Sequence, residues 1–381
     1  MGTTTDVLVI GTGAIGASTA YHLARAGLKV LVVDQFDGPA EGSTGRCFAS
    51  VRGQWADPLN IEVSWRSIEA FQRFPEEHGI DVGYVASGYL FLHSATTWPQ
   101  AEEAVALQRR YGVPVEILDV EAALELTPFD PEGVAGITWG PADGAVDPHG
   151  LTTAYLDLAR ALGSELRYRA AVTAVRAEGD GLRVTAGGED IHAGLVVNAA
   201  GGWSGDVAAL AGLAVPVFHS RRSVYAGAVG ALDRRVPMTI DMASGIYLRS
   251  EGERLLFGGP PPPEHHGYST DVSWPHIETL LERGVGRFPW LGDLPLDRSA
   301  AWAGTYEMSP DAQGILGRDP ALPAWYNACG FSGHGFMQSP EIGRLVAEDV
   351  IEGSITSIDT SPLHIGRFAA AGDESTIKMM F

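Results

Sequence analysis

Hydrophobic residues near the amino terminus follow a strand–turn–helix–strand pattern. Asp6–Ile10 (DVLVI) is a mostly β-branched apolar run, which is typical of a strand buried on both faces of a parallel sheet. Gly11–Gly16 (GTGAIG) follows, and Ala17–Ala26 has apolar residues at helical spacing. Lys29–Val33 (KVLVV) is a second apolar strand, which Asp34 closes. The pattern therefore predicts one βαβ unit within about 30 residues.

The remaining hydrophobic pattern predicts further helices and a set of shorter strands. Helical spacing occurs at residues 58–75, Trp98–Tyr111 and Leu151–Leu162. A last helix is expected to begin shortly before Pro340, because proline is tolerated in a first helical turn. Strands are predicted at Tyr84–His93, Ala171–Ala177, Leu182–Ala186, Leu195–Ala199, Arg222–Val229 and Gly245–Gly258. Turns separate the last two of these, which favours an antiparallel sheet in a second domain.

Composition and charge narrow the class of protein. A chain of 381 residues suggests two or three domains at about 150 residues each. The formal net charge of −21 argues against binding to nucleic acid or to an anionic membrane surface. The amino terminus lacks the basic region of a signal peptide, and no run of about 18 apolar residues occurs. We therefore expect a cytoplasmic protein without an integral membrane segment.

Scarce residue types exclude some chemistries. The only lysines are Lys29 and Lys378, so no residue between them can serve as a Schiff-base or general-base lysine. Two cysteines cannot form a disulfide framework or a cysteine-only metal site, and we interpret them as free thiols, with a single disulfide as the open alternative. Adjacent His265 and His266 are expected to point apart, so no metal site is predicted.

The glycine spacing after the first strand matches a dinucleotide-binding fingerprint. Gly11 would permit the tight turn, Gly13 would let the backbone approach a pyrophosphate, and Gly16 would let helix and strand pack closely. The helix amino terminus would present free N–H groups to the phosphates. Asp34 lies 18 residues after Gly16, near the offset of an acid that binds ribose hydroxyls and disfavours a 2′-phosphate. The motif alone does not separate NAD from FAD.

Several separated blocks resemble the D-amino-acid-oxidase-like family of flavoproteins. They are VLVIGTGAIGASTAYHLARAG, VLVVDQF, GSTGRCFASVRGQW, VVNAAGGWSGDVAALAG, IYLRSEGERLLFGG and GFSGHGFMQSPEIGRLVAEDV, and they extend over roughly Asp6 to Ile351. That family includes sarcosine oxidases, glycine oxidase, D-amino-acid and D-proline dehydrogenases, and the flavin subunit of proline dehydrogenase complexes.

The resemblance implies an α/β fold with a Rossmann-like FAD-binding domain and a substrate domain whose sheet is mainly antiparallel. The FAD-binding domain would be discontinuous, with residues 1–85, 146–215 and 300–368. The substrate domain would take residues 86–145 and 216–299, and residues 369–381 would form a tail.

The resemblance also implies where FAD would lie. Its adenosine is expected near Asp34 and Val172, its pyrophosphate at the glycine turn, and its isoalloxazine ring near residues 43–46 and 333–336. The implied cofactor-binding residues are Gly11, Gly13, Ala14, Ile15, Gly16, Asp34, Gln35, Ser43, Thr44, Arg46, Val172, Ala200, Gly201, Trp203, Gly333, Gly335, Phe336 and Met337.

Two departures from the family pattern change the expected chemistry. Gly304 stands where sarcosine oxidases carry the cysteine that holds flavin covalently, so we expect non-covalent FAD. Leu256 and Met337 stand where relatives place lysines, one of which promotes electron transfer to oxygen. The chain is therefore expected to be a dehydrogenase rather than a fast oxidase.

The substrate residues follow from the reaction that the resemblance implies. Oxidation of a C–N bond by hydride transfer to flavin N5 would give an imine that hydrolyses, and it needs a positioned substrate more than acid–base groups. Arg52 and Arg222 match arginines that bind the substrate carboxylate, although a loop-bracing role for Arg52 is equally compatible with the sequence. Tyr247 and Tyr306 match aromatic residues of family active sites, with core packing as the alternative. His334 is expected to act through its position.

Three functional readings stay open from the sequence. The first is an amine or amino-acid oxidoreductase that acts alone and passes electrons to oxygen, a quinone or a partner protein. The second is the flavin subunit of a multi-subunit amino-acid dehydrogenase complex, and the third is a non-catalytic flavin-binding protein. The first also divides into a dehydrogenase and a true oxidase that produces hydrogen peroxide.

Overall fold

The computed structural model describes residues 3–228, 230, 232–263 and 265–368. The last residue of the predicted strand Arg222–Val229 and the whole predicted tail 369–381 lie outside the described residues. The α-helices of the described part are α1 Ala14–Arg25, α2 Pro58–His78, α3 Trp98–Arg110, α4 Val120–Leu126, α5 Pro148–Ala161, α6 Ser204–Ala209, α7 His276–Gly284 and α8 Gly335–Glu352. Among these described helices, none is both long and apolar enough to cross a membrane.

Short 3-10 helices and many strands complete the described secondary structure. The 3-10 helices are Thr44–Arg46, Gly201–Trp203, Pro289–Asp293, Arg298–Ala300, Ser361–Leu363 and Ile365–Phe368. The strands are β1 Thr3–Ile10, β2 Val30–Val33, β3 Ser50–Val51, β4 Tyr89–Ser94, β5 Glu116–Ile117, β6 Val134–Gly140, β7 Gly144–Ala145, β8 Glu165–Arg167, β9 Val172–Glu178, β10 Gly181–Ala186, β11 Glu189–Asn198, β12 Phe218–Ala226, β13 Met238–Asp241, β14 Tyr247–Glu251, β15 Arg254–Gly258, β16 Trp302–Met308, β17 Ile315–Asp319 and β18 Leu322–Cys329.

The first sheet contains the predicted βαβ unit. Its strand order is β17-β18-β11-β1-β2-β8, with β10 and β9 joined to β11. Strand β1 pairs in parallel with both β2 and β11, so Val9 lies opposite Val32 on one side and Val197 on the other. All three are buried, because helices α1, α5 and α8 pack over this part of the sheet. The continuous apolar runs of the sequence are therefore the central strands of a parallel sheet.

The second sheet confirms the expected mainly antiparallel architecture. Its order is β16-β12-β15-β14-β13-β4-β6-β5, and every pair is antiparallel except β13 with β4. Strand β16 pairs with β12 in this sheet, although the predicted boundary at residue 300 assigns it to the FAD-binding segments. The division into domains stays a prediction.

Among the element boundaries that differ from the prediction, two have clear local reasons. Strand β4 begins at Tyr89 rather than Tyr84, because Gly88 has a φ of +83° and a Cβ there would lie 1.7 Å from the Trp139 ring. Helix α8 begins at Gly335 and contains Pro340 in its second turn. The carbonyl of Phe336, which the missing proline N–H leaves free, accepts a hydrogen bond from Ser339 Oγ at 2.9 Å. That side chain explains why the helix passes through the proline.

Candidate active site

The glycine turn between β1 and α1 is held by close backbone contacts. Gly11 has a φ of +110°, and a Cβ there would lie 2.3 Å from the Ala199 carbonyl oxygen. A Cβ on Gly16 would lie 2.0 Å from the Gly11 carbonyl oxygen. Gly13 precedes α1, and its missing Cβ would lie only 3.2 Å from Thr44 Oγ1. Gly11 and Gly16 thus close the turn itself, and Gly13 lies beside the loop that contains Thr44.

Asp34 is oriented by the turn that it faces. Its Oδ2 accepts hydrogen bonds from the Thr12 backbone N–H at 2.6 Å and from Thr12 Oγ1 at 2.7 Å. Its Oδ1 accepts from the Phe36 N–H at 2.9 Å. The carboxylate at the end of β2 is therefore fixed beside the glycine turn, while Oδ1 keeps a lone pair for a further donor.

A cavity of about 320 Å³, which we name the glycine-loop cavity, lies along the carboxyl ends of the parallel strands. Ligands of open α/β sheets bind at this edge. Gly16 is not among the residues that line it. The predicted cofactor residues that line it are Gly11, Gly13, Ala14, Ile15, Asp34, Gln35, Ser43, Thr44, Val172, Ala200, Gly201 and Trp203.

A second cavity of about 80 Å³, the bridging cavity, continues from the glycine-loop cavity and shares Ala14, Ile15, Ser43, Thr44 and Glu307 with it. The other predicted cofactor residues that line it are Arg46, Gly333, Gly335 and Phe336. Met337 instead lines the next cavity. The structure thus brings the loop before α8 to the same space as the loop after β2, as the sequence blocks imply.

A third cavity of about 130 Å³, the arginine cavity, lies between the second sheet and the loop before α8. The structure brings all five predicted substrate residues to its wall, and these are Arg52, Arg222, Tyr247, Tyr306 and His334. Trp55, Tyr89, Met238 and Ile240 also line it. Three of the five predicted residues line the bridging cavity as well, so the two spaces are adjacent.

Arg52 is held by its own loop. Its Nη1 donates to the Gln54 carbonyl oxygen at 3.1 Å, and its guanidinium carbon lies 3.8 Å from the Trp55 ring centroid. Buried Asp143 supports the loop, because its Oδ1 accepts from the Gly53 N–H at 2.7 Å and its Oδ2 from Gln54 Nε2 at 2.9 Å. Burial raises the pKa of Asp143 to about 7, against the hydrogen bonds that lower it.

Arg222 approaches the same cavity from strand β12. Its Nη1 donates to Ser220 Oγ at 2.5 Å, and its guanidinium carbon lies 4.7 Å from the Tyr306 ring centroid. Burial lowers the pKa of both Arg222 and Arg52. Within the described residues, neither guanidinium has a carboxylate oxygen within 4.0 Å. Two cations without anionic partners in one small cavity are the arrangement that receives an anionic ligand.

The aromatic and imidazole groups of the arginine cavity are neutral at neutral pH. Burial raises the pKa of Tyr247 and of Tyr306, and it lowers the pKa of His334. The two ring nitrogens of His334 lie 2.9 Å from Gln338 Oε1 and 3.2 Å from the Ala312 carbonyl oxygen. Because both nitrogens contact groups within the protein, His334 is placed to hold the loop before α8 rather than to take a proton from a ligand.

Comparison with known proteins identifies the family. Residues 6–349 match the family described as FAD dependent oxidoreductase, which covers most of the chain. The chain belongs to this family. It is therefore an FAD-dependent oxidoreductase, as the glycine turn and the adjoining cavities suggest.

The oxidoreductase resembles relatives along nearly its whole length. It is 30% identical to FAD-dependent oxidoreductase domain-containing protein 1 of Bos taurus, over 95% of this chain and 84% of that protein. It is also 30% identical to 4-methylaminobutanoate oxidase (formaldehyde-forming) of Paenarthrobacter nicotinovorans, over 95% of this chain but only 45% of that protein. The crystal structure of L-proline dehydrogenase from P. horikoshii superposes with a TM-score of 0.87 at 29% identity, covering 97% of this chain and 99% of that one.

The glycine-loop and bridging cavities fit the FAD of the family. A side chain at Gly13 would reach into the space beside Thr44, so the turn leaves room only for backbone. Ser43 Oγ and Arg46 Nε are buried and have no hydrogen-bond partner among the described residues. A hydroxyl and a guanidinium N–H that stay unpaired between the two cavities are suited to polar atoms of the cofactor.

Sequence reasoning missed several residues of the oxidoreductase site. Asp143 lies 91 residues from Arg52, and nothing in the local pattern links the two. Tyr89 could have been found, because strand alternation places it on one face with Phe91, whose ring centroid lies 5.4 Å from that of Tyr89. Glu307 stood out only as the single charged residue of the segment WAGTYEM.

The expectation that His265 and His266 point apart is wrong. Their ring centroids lie 4.1 Å apart, because the proline-rich loop folds back and lets His265 Nδ1 contact the Pro262 carbonyl oxygen at 3.0 Å. Within the described residues, no three histidine, cysteine, aspartate or glutamate side chains are grouped so that they could hold a metal ion. Both cysteines are free thiols, and burial raises the pKa of Cys47 to about 12.

Proposed function

We propose that this protein oxidises a C–N bond of a small amino acid with a secondary amine, and that it works as a dehydrogenase more than as a fast oxidase. The observation that carries the proposal is the pair of unpaired guanidinium groups, Arg52 and Arg222, in the arginine cavity beside the cofactor space. A volume of about 130 Å³ favours a substrate of a few heavy atoms.

Two relatives support the choice of a secondary amine. One is named a proline dehydrogenase and the other a 4-methylaminobutanoate oxidase, and both named compounds combine a secondary amine with a carboxylate. When bound, FAD supplies the acceptor for a hydride from the carbon next to nitrogen, while the nitrogen lone pair forms the imine and its N–H proton goes to solvent.

The chain itself would bind and orient the substrate. Arg52 and Arg222 would hold the carboxylate by charge-assisted hydrogen bonds. The neutral phenols of Tyr247 and Tyr306 would close the remaining walls and limit the water around the amine. In this assignment the protein needs no general base, provided that the substrate reacts as the neutral amine.

FAD would be held without a covalent bond. Asp34 would accept from ribose hydroxyls, the first turn of α1 would face the pyrophosphate, and the loop before α8 would border the ring. Gly304 has no side chain for covalent attachment, and a Cβ there would already lie 2.7 Å from Arg46 Cβ.

The environment of Leu256 supports the dehydrogenase assignment. The residue packs in an apolar cluster with Val224 and Ala226, so no ammonium group lies at this position of the second sheet. A positive charge at the corresponding place is what the family resemblance links to oxygen reactivity. Electrons would then leave to a quinone, a dye or a partner protein.

Anaerobic reduction of the bound flavin tests the substrate class. Proline, sarcosine, other N-methyl amino acids and D-amino acids are added separately, and loss of absorbance at about 450 nm is followed. We expect much faster bleaching by a secondary amino acid than by the same amine without its carboxylate. Bleaching by none of the amino acids would refute the proposed function. Admission of air then distinguishes slow reoxidation, which we expect, from the rapid reoxidation of an oxidase.

A further inference from the structure

Glu307 is a carboxylic acid in the wall of the cofactor space. It lies on β16 and lines both the glycine-loop cavity and the bridging cavity. A Cβ on Gly335 would lie 3.2 Å from Glu307 Oε1, and one on Gly201 would lie 3.9 Å from Oε2. The carboxyl group therefore sits between two glycine segments that border the cofactor space.

The hydrogen bonds of Glu307 tie it to the loop before α8. Its Oε2 accepts from the Gly330 N–H at 3.1 Å, and its backbone carbonyl accepts from the Ser332 N–H at 2.9 Å. Burial raises the pKa of Glu307 to about 7, although hydrogen bonds from the Gly330 and Phe331 N–H groups lower it. Near neutral pH, the carboxyl group is thus divided between its neutral and its charged form before any anion enters the cavity.

The neighbouring groups do not neutralise this carboxyl. His219 lies directly opposite on β12, and burial lowers its pKa, so it is uncharged above pH 7. Arg221 is two residues along that strand, and within the described part of the chain no arginine, lysine or histidine nitrogen lies within 4.0 Å of the carboxylate. Cys329 faces it from β18, and burial raises the pKa of that thiol. Arg46 packs on Gly304 of the same strand without an ion pair to Glu307.

The other acids of the glycine-loop cavity are in a different situation. Asp34 accepts three hydrogen bonds from Thr12 and Phe36. Glu41 and Asp206 are exposed to solvent and keep their hydration. Glu307 is therefore the acid of this cavity whose charge the pyrophosphate of FAD would disturb most, because two anionic groups in one enclosed space repel each other.

We propose that Glu307 is a further FAD-binding residue, which meets the cofactor as a neutral carboxylic acid and takes up one proton from solvent when FAD binds. The protonated oxygen becomes a donor toward the oxygen-rich cofactor, and the other oxygen keeps the Gly330 N–H. The inference concerns cofactor binding only, so it does not depend on the proposed substrate or electron acceptor.

The test measures FAD affinity against pH, with the wild type and a matched pair of variants. Flavin fluorescence gives the Kd at pH 6, 7, 8 and 8.5 for wild type, Glu307→Gln and the control Asp206→Asn. Above the pKa that Glu307 has without FAD, binding requires the uptake of one proton, which becomes less favourable as pH rises. The wild-type Kd should therefore rise by about tenfold between pH 7 and 8.5. Asp206→Asn should keep that slope, while Glu307→Gln should have a Kd that changes less than about twofold.

A second measurement keeps the proposal falsifiable if Glu307→Gln does not fold. Calorimetric titration of wild-type protein with FAD at pH 8, in two buffers of different ionisation enthalpy, reports the protons taken up. We expect more than half a proton at pH 8 and close to none at pH 6, where Glu307 is already neutral. A wild-type Kd independent of pH, an unchanged slope in Glu307→Gln, or no proton uptake at pH 8 would each overturn the assignment.

Discussion

Replacement of Arg222 by methionine separates carboxylate binding from structural support. The guanidinium lines the arginine cavity and has no carboxylate partner among the described residues, so Arg222→Met breaks no ion pair described in the protein. It removes hydrogen bonds to Ser220 Oγ and to the Arg221 carbonyl oxygen, and it relieves the burial of a charge. We expect these effects to offset each other, so the free energy of unfolding should change by less than about 1 kcal/mol.

The effect on the reaction should be much larger. If Arg222 donates two hydrogen bonds to the substrate carboxylate, the loss is at least about 3 kcal/mol, taking about 1.5 kcal/mol for each bond to a charged group. At about 1.4 kcal/mol per factor of ten, kcat/KM should fall by about 100-fold. The same substitution at the neighbouring Arg221, which does not line the cavity, should change kcat/KM by less than about threefold.

The assay compares the best amino-acid substrate with its carboxylate-free analogue, for example proline with pyrrolidine. Wild type and Arg222→Met are measured with a dye as electron acceptor, and thermal unfolding is followed in parallel. Arg222→Met should not lower kcat/KM for the analogue, because the lost interaction requires a carboxylate. An equal loss on both compounds would refute the carboxylate role, and a large fall in Tm would show that Arg222 supports the fold instead.

Three other predictions test the cofactor site and its supports. Acid precipitation should release all of the yellow colour into the supernatant, since Gly304 offers no attachment, and colour in the pellet would disprove non-covalent FAD. Asp34→Asn should raise the Kd for FAD by about tenfold, because it loses one charge-assisted hydrogen bond to ribose. The surface variant Asp37→Asn should leave the Kd unchanged. Equal Kd values for the two variants would exclude a hydrogen bond from Asp34 to ribose. The pKa of Asp143 is raised in the folded state, so its contribution to stability falls as pH rises from about 4 to 7. Asp143→Asn should therefore flatten the dependence of Tm on pH over that interval. An unchanged dependence would contradict the raised pKa.

The sequence was most informative where a local pattern determines the structure. The apolar runs around the glycine turn predicted β1, α1 and β2, because unbroken apolar segments of this length are typical of strands buried on both faces. The glycine spacing likewise identified Gly11 and Gly16, whose contacts leave no room for a Cβ. Helix α1 nevertheless begins at Ala14, since the last residues of the motif already belong to its first turn.

The supports of the site could not be predicted, because they depend on pairings between distant segments. Asp143 reaches the Arg52 loop only after β7 pairs with β3, and a two-residue strand has almost no signal in sequence. Glu307 joins the cofactor space because β16 pairs with β12 rather than with the first sheet. The resemblance located Arg222 and Tyr306 separately, and only the register of that pair shows that the guanidinium lies over the phenol ring.

The pairing of β12 with β16 makes this part of the protein sensitive to the length of its strands as well as to their side chains. Ser220 lies opposite Tyr306, and His219 lies opposite Glu307, so alternate residues of one ribbon face the substrate side and the cofactor side. Insertion or deletion of a single codon within either strand would exchange the two faces and turn Arg222 toward the flavin. We therefore expect evolution to keep the residue count of this ribbon fixed.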